Sequence, residues 1–251
     1  MNVTKITRME PDGPGGKGLD AWPKLPPEVV DEGDPVQTGY KYYEDDVTGL
    51  RVGIWNCTEF KSKMEPHAVH EFMHLISGTV TIVHGDGSTL TATAGEQFFI
   101  PKGTMRQWTQ SGEVRKYFMI FPDPSGAEAD DPDSLRAFKI DQSLEMQSIP
   151  VPGELEIIGE TPEWKAKKIF EDPTGQYTFG LWQATPFEMK PAPIDHAELM
   201  LPFEGTMTLK GDGETHTFAP GEAAFVPKGA ECVWASTDKV TKVFCSFRPK
   251  A

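Results

Sequence analysis

The feature that most constrains the fold is an internal repeat. Residues 41–122 align with residues 168–248, at an offset of 127 that becomes 126 after one deleted residue. The identical pairs include Trp55 with Trp182, Glu71 with Glu198, Gly78 with Gly205, Gly95 with Gly221, Pro101 with Pro227, Trp108 with Trp234 and Lys116 with Lys242. A repeat of this length indicates one domain in two copies, so the chain is expected to build the same fold twice.

Each copy consists of short runs of β-branched and aromatic residues separated by turns. In the first copy, residues 79–82 and 89–91 flank a Gly-Asp-Gly turn, and residues 97–100 end at Pro101. Runs of this length between Gly, Pro and Asp-Gly turns are typical of antiparallel sandwiches and barrels. Neither copy has a long helical pattern, so the sequence predicts an all-β protein.

Two stretches lie outside the copies. The first has six prolines and six glycines, which is typical of loop structure. The second is acidic and interrupted by prolines, and the spacing of Leu135, Phe138 and Leu144 predicts a short helix within it. The predicted segments are an N-terminal arm over residues 1–40, the first copy over 41–122, an acidic linker over 123–160 and the second copy over 161–251.

The charge balance excludes several classes of partner. Asp and Glu outnumber Lys and Arg by 38 to 24, and the formal net charge is −14. This charge repels phosphate backbones and anionic lipid headgroups, so binding to nucleic acid or membranes is not expected. No apolar run is long enough to span a membrane, and the N-terminus lacks the apolar core of a signal peptide. We therefore expect a cytoplasmic protein with its three cysteines as free thiols.

Two spacings in each copy point to a known family. Glu71 is separated from Gly78 by six residues, and Gly95 is followed after five residues by Pro101-x-Gly103. The pattern resembles the signature of the cupin superfamily. The Gly-x-Trp near the start of each copy is similar to the branch that includes (S)-ureidoglycine aminohydrolase and ethanolamine-utilisation protein Q. The resemblance implies two tandem cupin barrels of the jelly-roll (double-stranded β-helix) type.

Cupins hold a divalent metal with two histidines, a glutamate and a third histidine, and the first copy retains part of this set. The four positions are Glu65, His67, Glu71 and Arg106. Gln107 stands beside Arg106 and matches the glutamine that the aminohydrolase uses as its fourth ligand, although strand alternation turns it away unless a bulge intervenes. The resemblance implies Mn²⁺, and mixed carboxylate and imidazole ligation also suits Fe²⁺, Ni²⁺ or Zn²⁺. Alternatively, Glu71 serves hydrogen bonding in the barrel, while Glu65 and His67 are rim residues.

Arg106 and the neighbouring histidines each have two interpretations. Arg106 either clamps a substrate carboxylate or forms a structural ion pair with Glu65 or Glu71. His70 either handles protons or serves as a reserve metal ligand in an enzyme, whereas alternation from an inward Glu71 places His70 and His74 outward as surface or dimer-contact residues.

The second copy keeps less of the ligand set. Its equivalent positions are Ala192, Ile194, Glu198 and Cys232. A degenerate site is therefore expected there. Asp195 and His196 lie close by in sequence and either reach into the barrel or are exposed residues of a turn.

Two functions are consistent with the resemblance. The first is a metal-dependent bicupin enzyme whose N-terminal barrel acts on a small polar metabolite that bears a carboxylate or an amide. It would be a hydrolase, isomerase or dioxygenase, with Arg106 and His70 as catalytic residues. The second is a metal-free bicupin that binds a small ligand or serves as an assembly platform. Cupins often pair through their sheets, so the resemblance also implies a homodimer or higher homo-oligomer.

Overall fold

A computed structural model describes residues 5–124, 134–211 and 213–250 of the chain. Within these ranges the regular structure consists of short strands and 3-10 turns such as Pro14–Gly16 and Pro27–Val29, with no α-helix. The all-β prediction is therefore confirmed. No helix in the described ranges is long and apolar enough to cross a membrane.

The strands are numbered along the chain. The first thirteen are β1 (Thr7–Met9), β2 (Asp20–Ala21), β3 (Val30–Glu32), β4 (Gln37–Glu44), β5 (Arg51–Cys57), β6 (Phe60–Ser62), β7 (Glu65–Pro66), β8 (His70–Ser77), β9 (Thr79–His84), β10 (Thr89–Thr93), β11 (Gln97–Ile100), β12 (Met105–Gln110) and β13 (Val114–Phe121). Those that follow are β14 (Phe138–Lys139), β15 (Gln147–Ile149), β16 (Trp164–Glu171), β17 (Tyr177–Ala184), β18 (Phe187–Glu188), β19 (Ala192–Pro193), β20 (Ala197–Glu204), β21 (Met207–Gly211), β22 (Glu214–Phe218), β23 (Ala223–Val226), β24 (Glu231–Ser236) and β25 (Val240–Phe247).

The strands fall into two compact units. One is Glu10–Ile140, called here the N-terminal barrel. The other, the C-terminal barrel, is Asp141–Ala251 together with the described part of Met1–Met9.

Both stretches outside the repeat contribute strands. The arm supplies β1, β2 and β3, and the linker supplies β14 and β15. The prediction of a short helix around Leu135, Phe138 and Leu144 is wrong, because Phe138–Lys139 pairs with β11 instead. Exposed backbone at the edge of β11 provides hydrogen bonds that the weak helical pattern cannot match.

The N-terminal barrel contains two antiparallel sheets. The larger has the strand order β14-β11-β8-β13-β5-β4-β2, and the smaller has the order β10-β9-β12-β6-β3, with β7 also paired to β12. Apolar side chains meet in a core that includes Met73, Leu75, Ile82, Phe98 and Phe118. Two sheets packed on one core, with β8, β11 and β13 in one and β9, β10 and β12 in the other, form a jelly roll.

The C-terminal barrel repeats this plan. Its larger sheet has the order β1-β23-β20-β25-β17-β16-β15, and its smaller sheet has the order β18-β24-β21-β22, with β19 also paired to β24. The core includes Met200, Leu209, Phe218, Val226 and Val240. The prediction of two tandem jelly-roll barrels is confirmed.

The two barrels share one strand register. Trp55 lies opposite Lys116 in β5 and β13, and Trp182 lies opposite Lys242 in β17 and β25. Residues that the repeat aligns therefore occupy the same places in the two barrels. This agreement allows one copy to be compared with the other, residue by residue.

One glycine of the repeat is required by a close backbone approach as well as by its dihedral angle. Gly78 has a φ of +86°, and a Cβ there would lie 2.3 Å from the carbonyl oxygen of Glu113. Gly87 has a similar φ of +84°, but a Cβ there would meet open space. A comparison of substitutions at the two positions therefore distinguishes dihedral strain from steric overlap.

Replacing Gly78 with Ala should destabilise the protein more than replacing Gly87 with Ala. Gly87→Ala should cost about 1–2 kcal/mol of unfolding free energy, because only the positive φ is strained. Gly78→Ala adds overlap with the Glu113 carbonyl and should cost at least about 1 kcal/mol more. Urea unfolding of both variants measures the difference, and equal losses would contradict the steric argument.

Candidate functional site

Each barrel contains a buried lysine that is ion-paired to the glutamate of the repeat. In the N-terminal barrel, Nζ of Lys116 lies 2.7 Å from Oε1 of Glu71, and both side chains are buried. The ammonium also lies 4.9 Å from the ring centroid of Trp55 and 4.7 Å from that of Trp108. The lysine is on β13 and the glutamate on the adjacent β8, so neighbouring strands of one sheet bring them together.

The C-terminal barrel contains the same arrangement. Nζ of Lys242 lies 2.5 Å from Oε1 of Glu198, and it lies 4.9 Å and 4.3 Å from the ring centroids of Trp182 and Trp234. Neither lysine is among the site residues predicted from the sequence. The signal that could have identified them is a lysine kept at one position of both copies within an otherwise apolar strand.

Burial and pairing act in opposite directions on these glutamates. Burial alone would raise the pKa of Glu71, but the positive charge of Lys116 and the contact with His67 outweigh it and lower the pKa to about 2. Lys242 and His196 lower the pKa of Glu198 to about 2 in the same way. Both carboxylates are therefore ionised at neutral pH, and each barrel holds an ion pair away from water.

A histidine faces the second oxygen of each glutamate, but from a different sequence position in each barrel. Nε2 of His67 lies 3.2 Å from Oε2 of Glu71, without the alignment of a hydrogen bond. Nε2 of His196 hydrogen-bonds to Oε2 of Glu198 at 3.3 Å. The residue aligned with His67 is Ile194, so the second copy reaches a similar arrangement from another position.

Arg106 occupies the interior of the N-terminal barrel beside His67. Its Nε–H donates to Nδ1 of His67 at 3.2 Å, and its Nη1–H donates to Oγ of Ser62 at 3.1 Å. Nη1 also lies 3.4 Å from Oε1 of Glu65, which pairs with Arg106 across β7 and β12. Of the two interpretations of Arg106, this geometry supports the structural ion pair.

The C-terminal barrel has smaller or apolar residues at these positions. The residues aligned with Ser62, Glu65, His67 and Arg106 are Met189, Ala192, Ile194 and Cys232. A cavity of about 430 Å³ lies in this barrel. Its walls are mainly apolar and include Trp164, Trp182, Phe187, Met189, Ile194 and Trp234, with Leu155 from the linker. Its size and lining are those of a small-molecule site.

Charged groups gather in the lining of this cavity. Oδ1 of Asp195 lies 2.8 Å from Nδ1 of His196, and Arg248 pairs with Oδ2 of the same carboxylate. Burial alone would lower the pKa of His196, but Glu198 and Asp195 raise it above its usual value. These residues and Lys242 all line the cavity. His196 therefore reaches into the barrel, whereas Asp195 lines the cavity with a side chain that is 60% exposed.

Gln107 is not brought together with the other residues predicted as ligands. β12 pairs with β9 in an unbroken register from Arg106 to Thr109. Alternation along this strand places Gln107 on the face opposite to Arg106 and Trp108. Without a bulge, its amide points away from Glu71.

His70 and His74 lie on the face of β8 opposite to Glu71, as alternation predicts, but they are not surface residues. Their exposed fractions are 5% and 7%. His70 stacks on the ring of Phe99, and His74 stacks on that of Tyr117. The expectation of exposed histidines is wrong, because this face of the sheet is itself packed with aromatic side chains.

The donor set predicted from the sequence, Glu65, His67 and Glu71, does not fit a metal ion. Glu71 accepts a hydrogen bond from the Lys116 ammonium, and Nδ1 of His67 accepts one from Arg106. Burial lowers the pKa of His67, so the ring is neutral and carries its proton on Nε2. Glu65, His67 and Glu71 are thus brought together as an ion-pair network with no lone pair left on the imidazole. Two fixed cations beside them would repel a divalent ion.

Replacing Lys116 with Met should strongly destabilise the protein, because it leaves the Glu71 carboxylate buried and unpaired. The expected loss of unfolding free energy is about 3–5 kcal/mol, and the double variant Lys116→Met/Glu71→Gln should recover much of it. Lys24→Met, which breaks the exposed pair with Asp34, is the matched control and should cost less than about 1 kcal/mol. Chemical unfolding measures all of these, and similar losses in K116M and K24M would contradict a structural role for the buried pair.

Acid should remove the stabilisation from Glu71 and Glu198. Their folded pKa of about 2 is below the ordinary value of 4.5, so the contribution is complete above pH 4.5 and is lost as pH falls toward 2. We expect the thermal midpoint to fall more steeply over this range in the native protein than in Glu71→Gln/Glu198→Gln. The exposed pair of substitutions Glu59→Gln/Glu231→Gln is the control. A slope unchanged by the buried substitutions would rule out these two groups as its cause.

Solved structures with the same architecture come from several bacteria. A protein of unknown function from Pseudomonas syringae pv. tomato, assigned to the DUF861 family, has a TM-score of 0.78 at 24% identity, over 97% of this chain and 100% of its own. A cupin 2 conserved barrel domain protein from Leptotrichia buccalis has a TM-score of 0.58 at 11% identity, over 88% and 92%. The salicylate 1,2-dioxygenase of Pseudoaminobacter salicylatoxidans has a TM-score of 0.51 at 12% identity, over 79% and 71%. At these identities the similarity concerns the fold alone.

A family model extends this result to the sequence. No curated protein matches the chain. The model of the EutQ-like cupin domain matches residues 47–118 and 171–244, which together are more than half of the chain and fall once in each barrel. The chain therefore belongs to the EutQ-like cupin family, as a bicupin formed by duplication of that domain.

Proposed function

We propose that this bicupin binds a small molecule in the cavity of its C-terminal barrel and that it does so without a metal ion. The observation that carries the proposal is the cavity of about 430 Å³, whose mainly apolar walls surround a few charged side chains. Such a combination is the usual form of a small-molecule site. This is the second of the two functions that the sequence suggests, with its location specified.

The contrast between the copies supports the choice of barrel. Arg106 and His67 lie in the interior of the N-terminal barrel and are joined by a hydrogen bond. Their counterparts, Cys232 and Ile194, carry neither charge nor long polar side chains. The site favoured from the sequence, a metal-dependent enzyme centred on Glu65, His67 and Glu71, is therefore the less supported alternative.

The lining also indicates the shape of the ligand. Indole and phenyl rings of Trp164, Trp182, Phe187 and Trp234 form much of the wall. Flat apolar surfaces pack best against a flat apolar molecule, so the bound molecule has an aromatic or similarly planar body. A homo-oligomer, which the resemblance implies, remains a separate prediction.

Binding of a planar probe should depend on the cavity and be independent of metal. We expect 2-naphthamide to bind chelator-treated protein at about one molecule per chain in isothermal titration calorimetry, with elemental analysis showing no stoichiometric transition metal. Ile194→Trp places a larger side chain in the cavity and should weaken binding by about tenfold or more. Val47→Trp adds the same side chain at a position that is 91% exposed and should leave binding unchanged.

Two outcomes would contradict the proposal. Loss of 2-naphthamide binding after chelation, restored by added Mn²⁺, would support the metal-dependent alternative. Equal binding in the native protein and Ile194→Trp would place the bound molecule outside the C-terminal cavity.

A further inference from the structure

We propose that the charged cluster of the C-terminal cavity recognises a carboxylate on the bound molecule, and that Arg248 is the residue that clamps it. The inference rests on the proposed function, because it names the chemical group that the cavity receives. Two observations carry it: the polar residues that are specific to the second copy, and the hydrogen-bonding capacity of those residues.

Three charged or titratable residues of the cavity lining have no polar counterpart in the first copy. Asp195, His196 and Arg248 align with Ala68, Val69 and Pro122. All three line the cavity and contact one another through the Asp195 carboxylate. The cavity and this cluster thus lie in the same copy, which indicates that the two serve one purpose.

The carboxylates of the cluster are already engaged as acceptors. Asp195 contacts His196 through Oδ1 and accepts from Arg248 at Oδ2. Glu198 accepts from Lys242 at Oε1 and from His196 at Oε2. Each of the four oxygens therefore has a donor.

Donors, in contrast, are in excess. A guanidinium has five N–H groups and an ammonium has three. Arg248 contacts Asp195 through Nη1, and Lys242 contacts Glu198 through a single pair of atoms. The N–H donors of the cluster therefore outnumber the contacts that its carboxylates make, and an oxygen of the ligand supplies a further acceptor. An oxyanion does so best, because its hydrogen bonds to charged donors are the stronger kind.

Arg248 is suited to the role by its position and its chemistry. Its backbone N–H donates to the carbonyl oxygen of Gln176 at 2.8 Å, which fixes the start of the side chain. The side chain is 61% exposed, so its guanidinium can turn toward an incoming molecule. The planar fork of a guanidinium matches a carboxylate in a bidentate pair, which an ammonium cannot reproduce. The other acid in the lining, Glu154, is exposed.

The test compares an acid with its neutral amide. Isothermal titration calorimetry at pH 7 measures the dissociation constants of 2-naphthoate and 2-naphthamide, which share one planar body. We expect the native protein to bind 2-naphthoate about tenfold or more tightly than 2-naphthamide. Arg248→Met should abolish this preference, and Arg248→Lys should keep part of it. The control Arg51→Met removes an exposed arginine of the N-terminal barrel and should preserve the preference in full.

Each contrary outcome has a distinct meaning. Equal affinities for acid and amide in the native protein would overturn the carboxylate inference and leave the proposed function standing. A preference that survives in Arg248→Met would overturn the role of Arg248. Failure of both compounds to bind the native protein would overturn the proposed function together with this inference.

Discussion

The buried lysine–glutamate pair is the interaction on which the chemistry of both barrels depends. An ion pair removed from water is stable only when the two charged groups are in close contact and their remaining hydrogen-bond donors and acceptors have partners. Here the Lys116 ammonium meets Glu71 at 2.7 Å, contacts the sulfur of Met73 and lies over two indole rings. The positive charge is thus enclosed by a carboxylate, a thioether and π faces. The positive charge of the lysine beside this glutamate would repel a divalent ion from the same carboxylate.

Both copies contain this ion pair, and they differ in the residues that surround it. The first copy fills its interior with Arg106, which bonds to His67 and Ser62 and faces Glu65. The second copy replaces these residues with shorter or apolar ones and has a histidine at another position. The duplicated barrels therefore differ in their interiors: charged and polar side chains contact one another in the first, and mainly apolar walls surround a cavity in the second. Since fold and register are the same, the difference depends on a handful of side chains.

The sequence predicts the fold well and the site only in part, for reasons that individual residues illustrate. Turn glycines and strand patterns are local signals, so the two barrels follow from them directly. The match of the ligand positions points to Glu65, His67 and Glu71, which lie in one network with Arg106. It does not reveal that Lys116, forty-five positions from Glu71, neutralises the carboxylate. The cavity is not evident from the sequence either. It results from the uncharged side chains of Ile194 and Cys232, which replace His67 and Arg106 of the first copy. Strand alternation gave the correct face for His70 and His74 but could not show that this face is packed.

The pairing of the first strand, β1, limits when the C-terminal barrel can fold. Thr7–Met9 pairs with β23 at the edge of the larger sheet of the C-terminal barrel, Ile6 joins its core, and Arg8 pairs with Glu222, 214 residues away. Without this strand, β23 would present an open edge to other chains. Thr7–Met9 must therefore wait for β23, which is synthesised later than the whole N-terminal barrel. The barrel that carries the cavity can close only after β23 has been synthesised, and anything fused ahead of Thr7 is attached to that barrel.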